Sequence, residues 1–375
     1  MNENLKNLRL QLEAKKGFAL DMIIGLDGFV DVIIHVVDQR KDFENYTRLA
    51  TISDMAARIG KAAGLSANFE WVPQNIKLGG NGPILSNALL EYGVRLTYVG
   101  GLGANGIHPV FKPMADKAAA VYSLSDPGHT NALEFEDGKL MMGTINTLDA
   151  INWKSFKEKV GPPQKIADMI NKCDLFGMEN WTMVAYMGEI WDGLIDEVFP
   201  LLNDRGVKPL AFFDLADPEK RTASDILHAM KQIGKFESKF RAVLGLNEKE
   251  LYEIAEVFGV ELSENPDDKL KQAVCDTYKR LGIYCLVVHP TKEAMCCTAD
   301  GFFRVAGPYC AKPVLTTGAG DNFNAGFCLG LSLGLDPASA LTLGVSTSGY
   351  YVRNAKSPTF DDVIGFIGRW EEGSL

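Results

Sequence analysis

Short apolar runs recur along the chain and alternate with longer amphipathic stretches. Met22–Leu26, Leu96–Gly100, Leu175–Met178, Leu210–Leu215, Ala242–Leu246 and Cys285–His289 are too short for buried helices and read as buried strands. Between them, Pro83–Tyr92, Met183–Asn203, Ala223–Phe236, Glu248–Phe258 and Asp267–Leu281 carry helical spacing, as does Asn322–Leu333 near the end. That alternation predicts an α/β fold with a mostly parallel sheet covered on both faces, and ligands at the carboxyl ends of its strands. Two regions break the rhythm. Val30–Val37 follows the first strand almost at once, and Phe69–Leu78, Asn131–Phe135 and Lys139–Ile145 are strand-like, the last two flanking an Asp137-Gly138 hairpin signal. These predict a small separate β-layer able to cover a substrate, with extra edge strands as the plainer alternative. Met1–Lys16 reads as a short amphipathic helix.

Composition narrows the class. The 375 residues suffice for one large α/β domain with a subdomain, or for two domains. A hydrophobic content of 46% supports a sizeable core, and a net charge of −10 argues against a nucleic-acid surface. No run approaches the ~18 apolar residues of a membrane span, and the N-terminal stretch lacks the apolar centre of a signal peptide. Seven cysteines without any Cys-x-x-Cys spacing are expected as free, mostly buried thiols in a reducing cytoplasm. The five histidines show no metal-ligand spacing.

The candidate chemistry centres on Thr316-Thr317-Gly318-Ala319-Gly320-Asp321. Small residues at a helix start let a ligand approach unsatisfied N–H groups with the positive end of the helix dipole behind them, which makes an anion site. Asp321 in the same turn offers a base for a hydroxyl attacking phosphate. A simple strand-to-helix turn with Asp321 as N-cap is the competing structural reading. Further upstream, Gly79, Gly80 and Asn81 lead into a helix with Pro83 in its first turn, and Asp27 and Asp31 follow the first strand, one as sugar ligand and the other as turn residue. Asn247 and Glu250 form a capping box, compatible with a water-mediated role at a metal. Arg221, following Asp214 and Asp217, could meet phosphate or sit in a solvated loop. Gly101-x-Gly103-x-x-Gly106 with Asp126 beyond it has the form of a dinucleotide fingerprint, but Pro109 delays any following helix, which weakens NAD binding. No Walker P-loop occurs.

Taken together, Thr-Thr-Gly-Ala-Gly-Asp-x-Phe-x-Ala-Gly-Phe over Thr316–Phe327 resembles the C-terminal signature of the PfkB/ribokinase family of carbohydrate kinases, and Gly79 to Gly93 resembles its N-terminal signature. The resemblance spans roughly Asp21 to Trp370. It implies a single domain over 1–375 with a ribokinase-like three-layer α/β/α core, plus a discontinuous β-lid from about 30–38, 69–78 and 131–146. The implied activity is ATP-dependent transfer of the γ-phosphate to a hydroxyl of a sugar or nucleoside. By resemblance Asp321 is the general base and Gly318, Ala319 and Gly320 stabilise the transferred group. Thr316, Thr317, Gly318, Gly320, Asn247 and Arg221 would hold the nucleotide, and Asn247 and Glu250 would hold Mg2+ through water. Asp27, Asp31, Gly79, Gly80 and Asn81 would grip the substrate. A monovalent cation is a further candidate cofactor, and a homodimer through the lid a candidate assembly, with no nucleic-acid or membrane partner. Four positions depart from the family pattern: Ile84 for Asn, Asn105 for Asp, Leu315 for Asp, and His289-Pro290-Thr291 for Thr-x-Gly. Leu315, Ile84 and His289-Pro290 motivate the alternative of a non-catalytic sugar- or nucleotide-binding regulatory relative.

Overall fold

The computed structural model describes residues 2–375; Met1, where the expected first helix begins, lies outside the described residues. In chain order the strands are β1 Asp21–Leu26, β2 Phe29–Arg40, β3 Tyr46–Arg48, β4 Trp71–Gly79, β5 Arg95–Gly100, β6 Ala120–Ser123 and β7 Gly128–Glu134. They continue with β8 Lys139–Thr144, β9 Leu175–Glu179, β10 Leu210–Asp214, β11 Arg241–Leu246, β12 Cys285–Val288, β13 Glu293–Thr298 and β14 Gly301–Ala306. The helices needed here are α1 Asn2–Ala14, α2 Asn81–Glu91, α3 Glu248–Val257, α4 Pro266–Leu281, α5 Ala319–Ser332, α6 Pro337–Asn354 and α7 Phe360–Glu371.

Nine strands form the main sheet in the order β14-β13-β12-β11-β10-β9-β1-β5-β6. From β6 to β12 all pairings are parallel, and β13 and β14 continue the sheet antiparallel. Strands β1, β9, β10, β11 and β12 are buried along almost their whole length, which is why they read as unbroken apolar runs. One face packs Phe176, Phe213, Trp191 and Phe236. The opposite face packs Tyr98, Phe212, Phe323 and Phe327, much of it supplied by α5, whose residues Asn322 to Leu331 are all buried. The expected α/β class and two-sided covering are what the structure has.

The second sheet has the order β3-β2-β7-β8, with β4 pairing the other edge of β2. Its own small core joins Ile34, Leu49, Met55 and Leu133. Short joints tie it to the main body: Asp27-Gly28 between β1 and β2, Gly80 between β4 and α2, and 124–127 between β6 and β7. Residues near those joints therefore sit where the two sheets meet.

Two expectations need correction. Met183–Asn203 is not one helix. It is a helix over Met187–Gly193, a wide π turn over Leu194–Val198 and a tight turn over Phe199–Leu201. Pro200 lacks the N–H that an α-helix would use there, and its ring crowds the preceding turn. The β13–β14 hairpin was absent from the predicted strands, because β14 mixes exposed and half-buried positions instead of showing an apolar run. All seven cysteines are free, five of them buried and Cys275 and Cys310 half-buried. No helix among the described residues is long and apolar enough to cross a membrane.

Candidate active site

Three adjacent strands of the main sheet end in acids. Asp27 follows β1, Glu179 closes β9 and Asp214 closes β10, and Asp214 and Glu179 are direct cross-strand partners. Parallel strands deliver these side chains to one edge, the carboxyl edge at which ligands of such sheets collect.

Asp27 is enclosed on all sides. It has no exposed surface, and its carboxylate accepts from the Asn81 N–H at 3.0 Å, the Gly82 N–H at 2.9 Å and Asn180 Nδ2 at 2.8 Å. Burial raises its pKa to about 6, against the pull of these three donors. Asp27 thus clamps the first turn of α2 to the end of β1 and offers a ligand no open face. Asp31, on β2, points to the side of the second sheet that also carries its register partners Lys77 and Thr130. Burial raises its pKa, opposed by the Thr130 hydroxyl and the Lys77 charge. A Cβ at Gly79 would lie 2.3 Å from the Asp31 carboxylate, so only glycine allows this approach of β4 to β2. Asn81 turns its Nδ2 to Asp214 Oδ1 at 3.2 Å, while Asn324 Nδ2 holds Asp214 Oδ2 at 3.2 Å.

Glu179 escaped the sequence reading. It is wholly buried, and neither carboxylate oxygen has a hydrogen-bond partner. Burial, reinforced by Asp214, Asp321 and Asp27, pushes its pKa far up. The signal was present: an acid directly after a buried strand, the pattern already noted at Asp27. Beside it, Asn180 adopts φ 66° and spans Asp27 and the Met183 N–H.

The Gly318 turn approaches this cluster from the opposite side. Gly318 caps α5 at φ 89°, and a Cβ there would lie 3.0 Å from the Tyr351 hydroxyl and 3.1 Å from Ile84. Tyr351 donates to the Thr317 carbonyl at 2.8 Å, fixing the turn from behind. The Ala319 N–H donates to the Thr316 carbonyl at 3.0 Å. Among the described residues no carbonyl accepts from the N–H groups of Gly318 and Gly320, and these two remain for an anion. Asp321, in the first turn of α5 and partly open, has its pKa raised well above the carboxylate range by burial first and by Asp27 second.

On the far side of the turn lies a cavity of about 310 Å3, lined by His289, Pro290, Tyr309, Thr316, Gly320 and Val352 among others. His289 packs against Phe323 with ring centroids 4.9 Å apart, and burial lowers its pKa to about 4, so it is neutral.

The remaining expected ligands are already engaged. Asn247 and Glu250 form the reciprocal capping box of α3, and the second Glu250 oxygen accepts the Asp217 N–H at 3.1 Å. Either reaches a metal only through water or a further lone pair. Arg221 Nε and Nη2 donate to the Thr182 and Trp181 carbonyls, and the guanidinium lies over the Trp181 ring. Gly101–Gly106 opens no helix, since only a tight turn and one short helical turn follow over Pro109–Ala115, and Asp126 accepts the Ala104 N–H. Among the described residues no group of three or more His, Cys, Asp or Glu side chains is arranged to hold a metal. The hard oxygen donors of Asp214 and Asp321, whose shifts owe nothing to a neighbouring cation, fit a Mg2+ ion that arrives with a phosphate ligand and keeps its waters.

A family model described as prokaryotic ketohexokinase matches residues 3–370. A ketohexokinase of Haloferax volcanii is 30% identical over 349 residues, 92% of this chain and 90% of the relative. Among solved structures, Arabidopsis thaliana ribokinase complexed with ribose and ATP superposes with a TM-score of 0.63 at 15% identity, covering 93% of this chain and 99% of that one. An Escherichia coli protein described as a ribokinase II, in complex with ATP and Mg2+, gives 0.61 at 14% identity, covering 94% and 100%. At these identities the structural likeness establishes the ribokinase-like fold.

Proposed function

The chain belongs to the prokaryotic ketohexokinase family and is a carbohydrate kinase, and on that premise we propose that it transfers the γ-phosphate of ATP to a hydroxyl of a ketohexose. The observation that carries the site assignment is the position of Asp321. It stands at the start of α5, between the 310 Å3 cavity and the acid-lined end of the main sheet. In this reading the nucleotide base lies against His289, Pro290 and Tyr309, and its phosphates reach Thr316, Thr317 and the turn. The N–H groups of Gly318 and Gly320 face the transferred phosphoryl group, where fixed donors are worth most because water is excluded. The sugar lies between Asp31, Gly79, Gly80 and Asn81. Asp321 accepts the proton of the attacking hydroxyl. Asp27 does not touch substrate; it holds Asn81 and Gly82 in place. Mg2+, when bound, supplies positive charge beside the phosphates, held by Asn247 and Glu250 through water. The second sheet covers the sugar and keeps water from the phosphoryl group.

We also infer that the second sheet pairs with a copy of itself. Ile76, Val32, Asn131 and Met142 form one cross-strand row, and Ile76 and Met142 are 57% and 44% exposed. Apolar side chains so exposed on a sheet face are suited to burial against a partner.

The test of the substrate is ADP release with Mg-ATP and a panel of ketohexoses, aldohexoses, pentoses and nucleosides. The proposal expects the highest kcat/KM with a ketohexose. Preference for a nucleoside or pentose, or ADP release independent of any sugar, would overturn it.

A further inference from the structure

Two of the free thiols are in contact, far apart in sequence. Cys275 lies on α4 and is half-buried, and Cys297 lies on β13 and is 4% exposed. The Cys297 thiol donates to Cys275 Sγ at 3.3 Å. A disulfide needs about 2.0 Å between sulfurs, so closure asks for a movement of roughly 1.3 Å. Cys275 is the sulfur that accepts in this contact, and it is also the more accessible of the two. Lys279, one helical turn further along α4, brings an ammonium close enough to feel both thiols, although it also pairs with Asp276 at 2.8 Å.

The other thiols lack this combination. Cys285, Cys296 and Cys328 are wholly buried in the core on the opposite side of the sheet. Cys296 precedes Cys297 in sequence, but alternation along β13 sends the two to opposite faces. Cys310 is half-buried at the 310 Å3 cavity, and no second thiol among the described residues is in contact with it.

We propose that Cys275 and Cys297 are a reversible oxidation site that takes a peroxide as oxidant and closes to a disulfide between α4 and β13. The Cys275 thiolate attacks one peroxide oxygen, the O–O bond breaks, and Cys275 becomes a sulfenic acid as water is released. Cys297 sulfur then attacks Cys275 sulfur. The S–S bond forms, the sulfenic hydroxyl leaves, and with the Cys297 proton it departs as a second water. Two thiols lose two electrons and one peroxide gains them.

The experiment uses the native full chain. The reduced protein is treated with hydrogen peroxide, remaining thiols are blocked in denaturant, and tryptic peptides are mapped by mass spectrometry. The expected product links Gln272–Lys279 to Glu293–Arg304 and disappears on dithiothreitol treatment. Because the second peptide holds both Cys296 and Cys297, two variants assign the bond: Cys297→Ser should abolish the link and Cys296→Ala should keep it. The wild-type map stands even if a variant fails to fold. Cys275 carried to sulfinic acid with Cys297 still a thiol, or a link that joins other cysteines, would overturn the proposal.

Discussion

At the residue scale, the acids at the strand ends have separable duties. Asp27 has three donors and no exposed surface, so it acts by holding backbone in place. Asp27→Asn puts an amide NH2 against one of those donors, leaving a buried group unpaired. A loss of about 2–3 kcal/mol in urea unfolding is expected, with sugar KM raised in whatever fraction folds. His289 gives a pH prediction. Burial holds its pKa at about 4, so the ring is neutral from pH 5 to 8. The KM for ATP should show no step near the ordinary histidine value of ~6.5, and a step there would place a charged imidazole in the cavity. Asp321 shifts the other way. A base is active when deprotonated, and burial raises its pKa, so kcat/KM should fall as pH drops through a midpoint well above the ordinary carboxylate range. An acid limb at the ordinary value would contradict the buried site.

At the element scale, two turns set the distance between the sheets and the reacting groups. Gly318 sits at φ 89° with Tyr351 and Ile84 against it. Gly318→Ala should cost roughly 1–2 kcal/mol from the strained conformation, and lower kcat more than it raises sugar KM, because the N–H groups move with the turn. Gly79→Ala should do the reverse, since its Cβ would displace Asp31 and not the phosphoryl site. Steady-state kinetics of the two variants separate these effects. How legible such elements were depended on burial. β1, β9, β10, β11 and β12 read directly because both faces are covered, and Thr316–Phe327 carried a specific pattern of small residues. The long helix over Met183–Asn203 did not survive. Its start is a turn wrapped around Arg221, a contact from about forty residues away that no local pattern encodes. Glu179 was hidden for a different reason. One acid after one strand means little until β9 lies between β1 and β10 and its oxygens are found without partners.

At the scale of the molecule, the account makes one site from parts distant in sequence: strand ends near Asp27, Glu179 and Asp214, the second sheet at Asp31, and the α5 turn. The second sheet's exposed row predicts assembly as well. Sedimentation velocity should show a dimer, and Ile76→Glu with Met142→Glu should give a monomer; a wild-type monomer at micromolar concentration would remove that inference. The central claim, phosphoryl transfer to a sugar with Asp321 as base, is tested most directly by comparing kcat for wild type and Asp321→Asn on the best ketohexose, with calorimetry of sugar binding to both. The account predicts a fall of about 10²–10⁴ in kcat, with sugar affinity changed by less than about tenfold. Turnover by Asp321→Asn near the wild-type rate would contradict it.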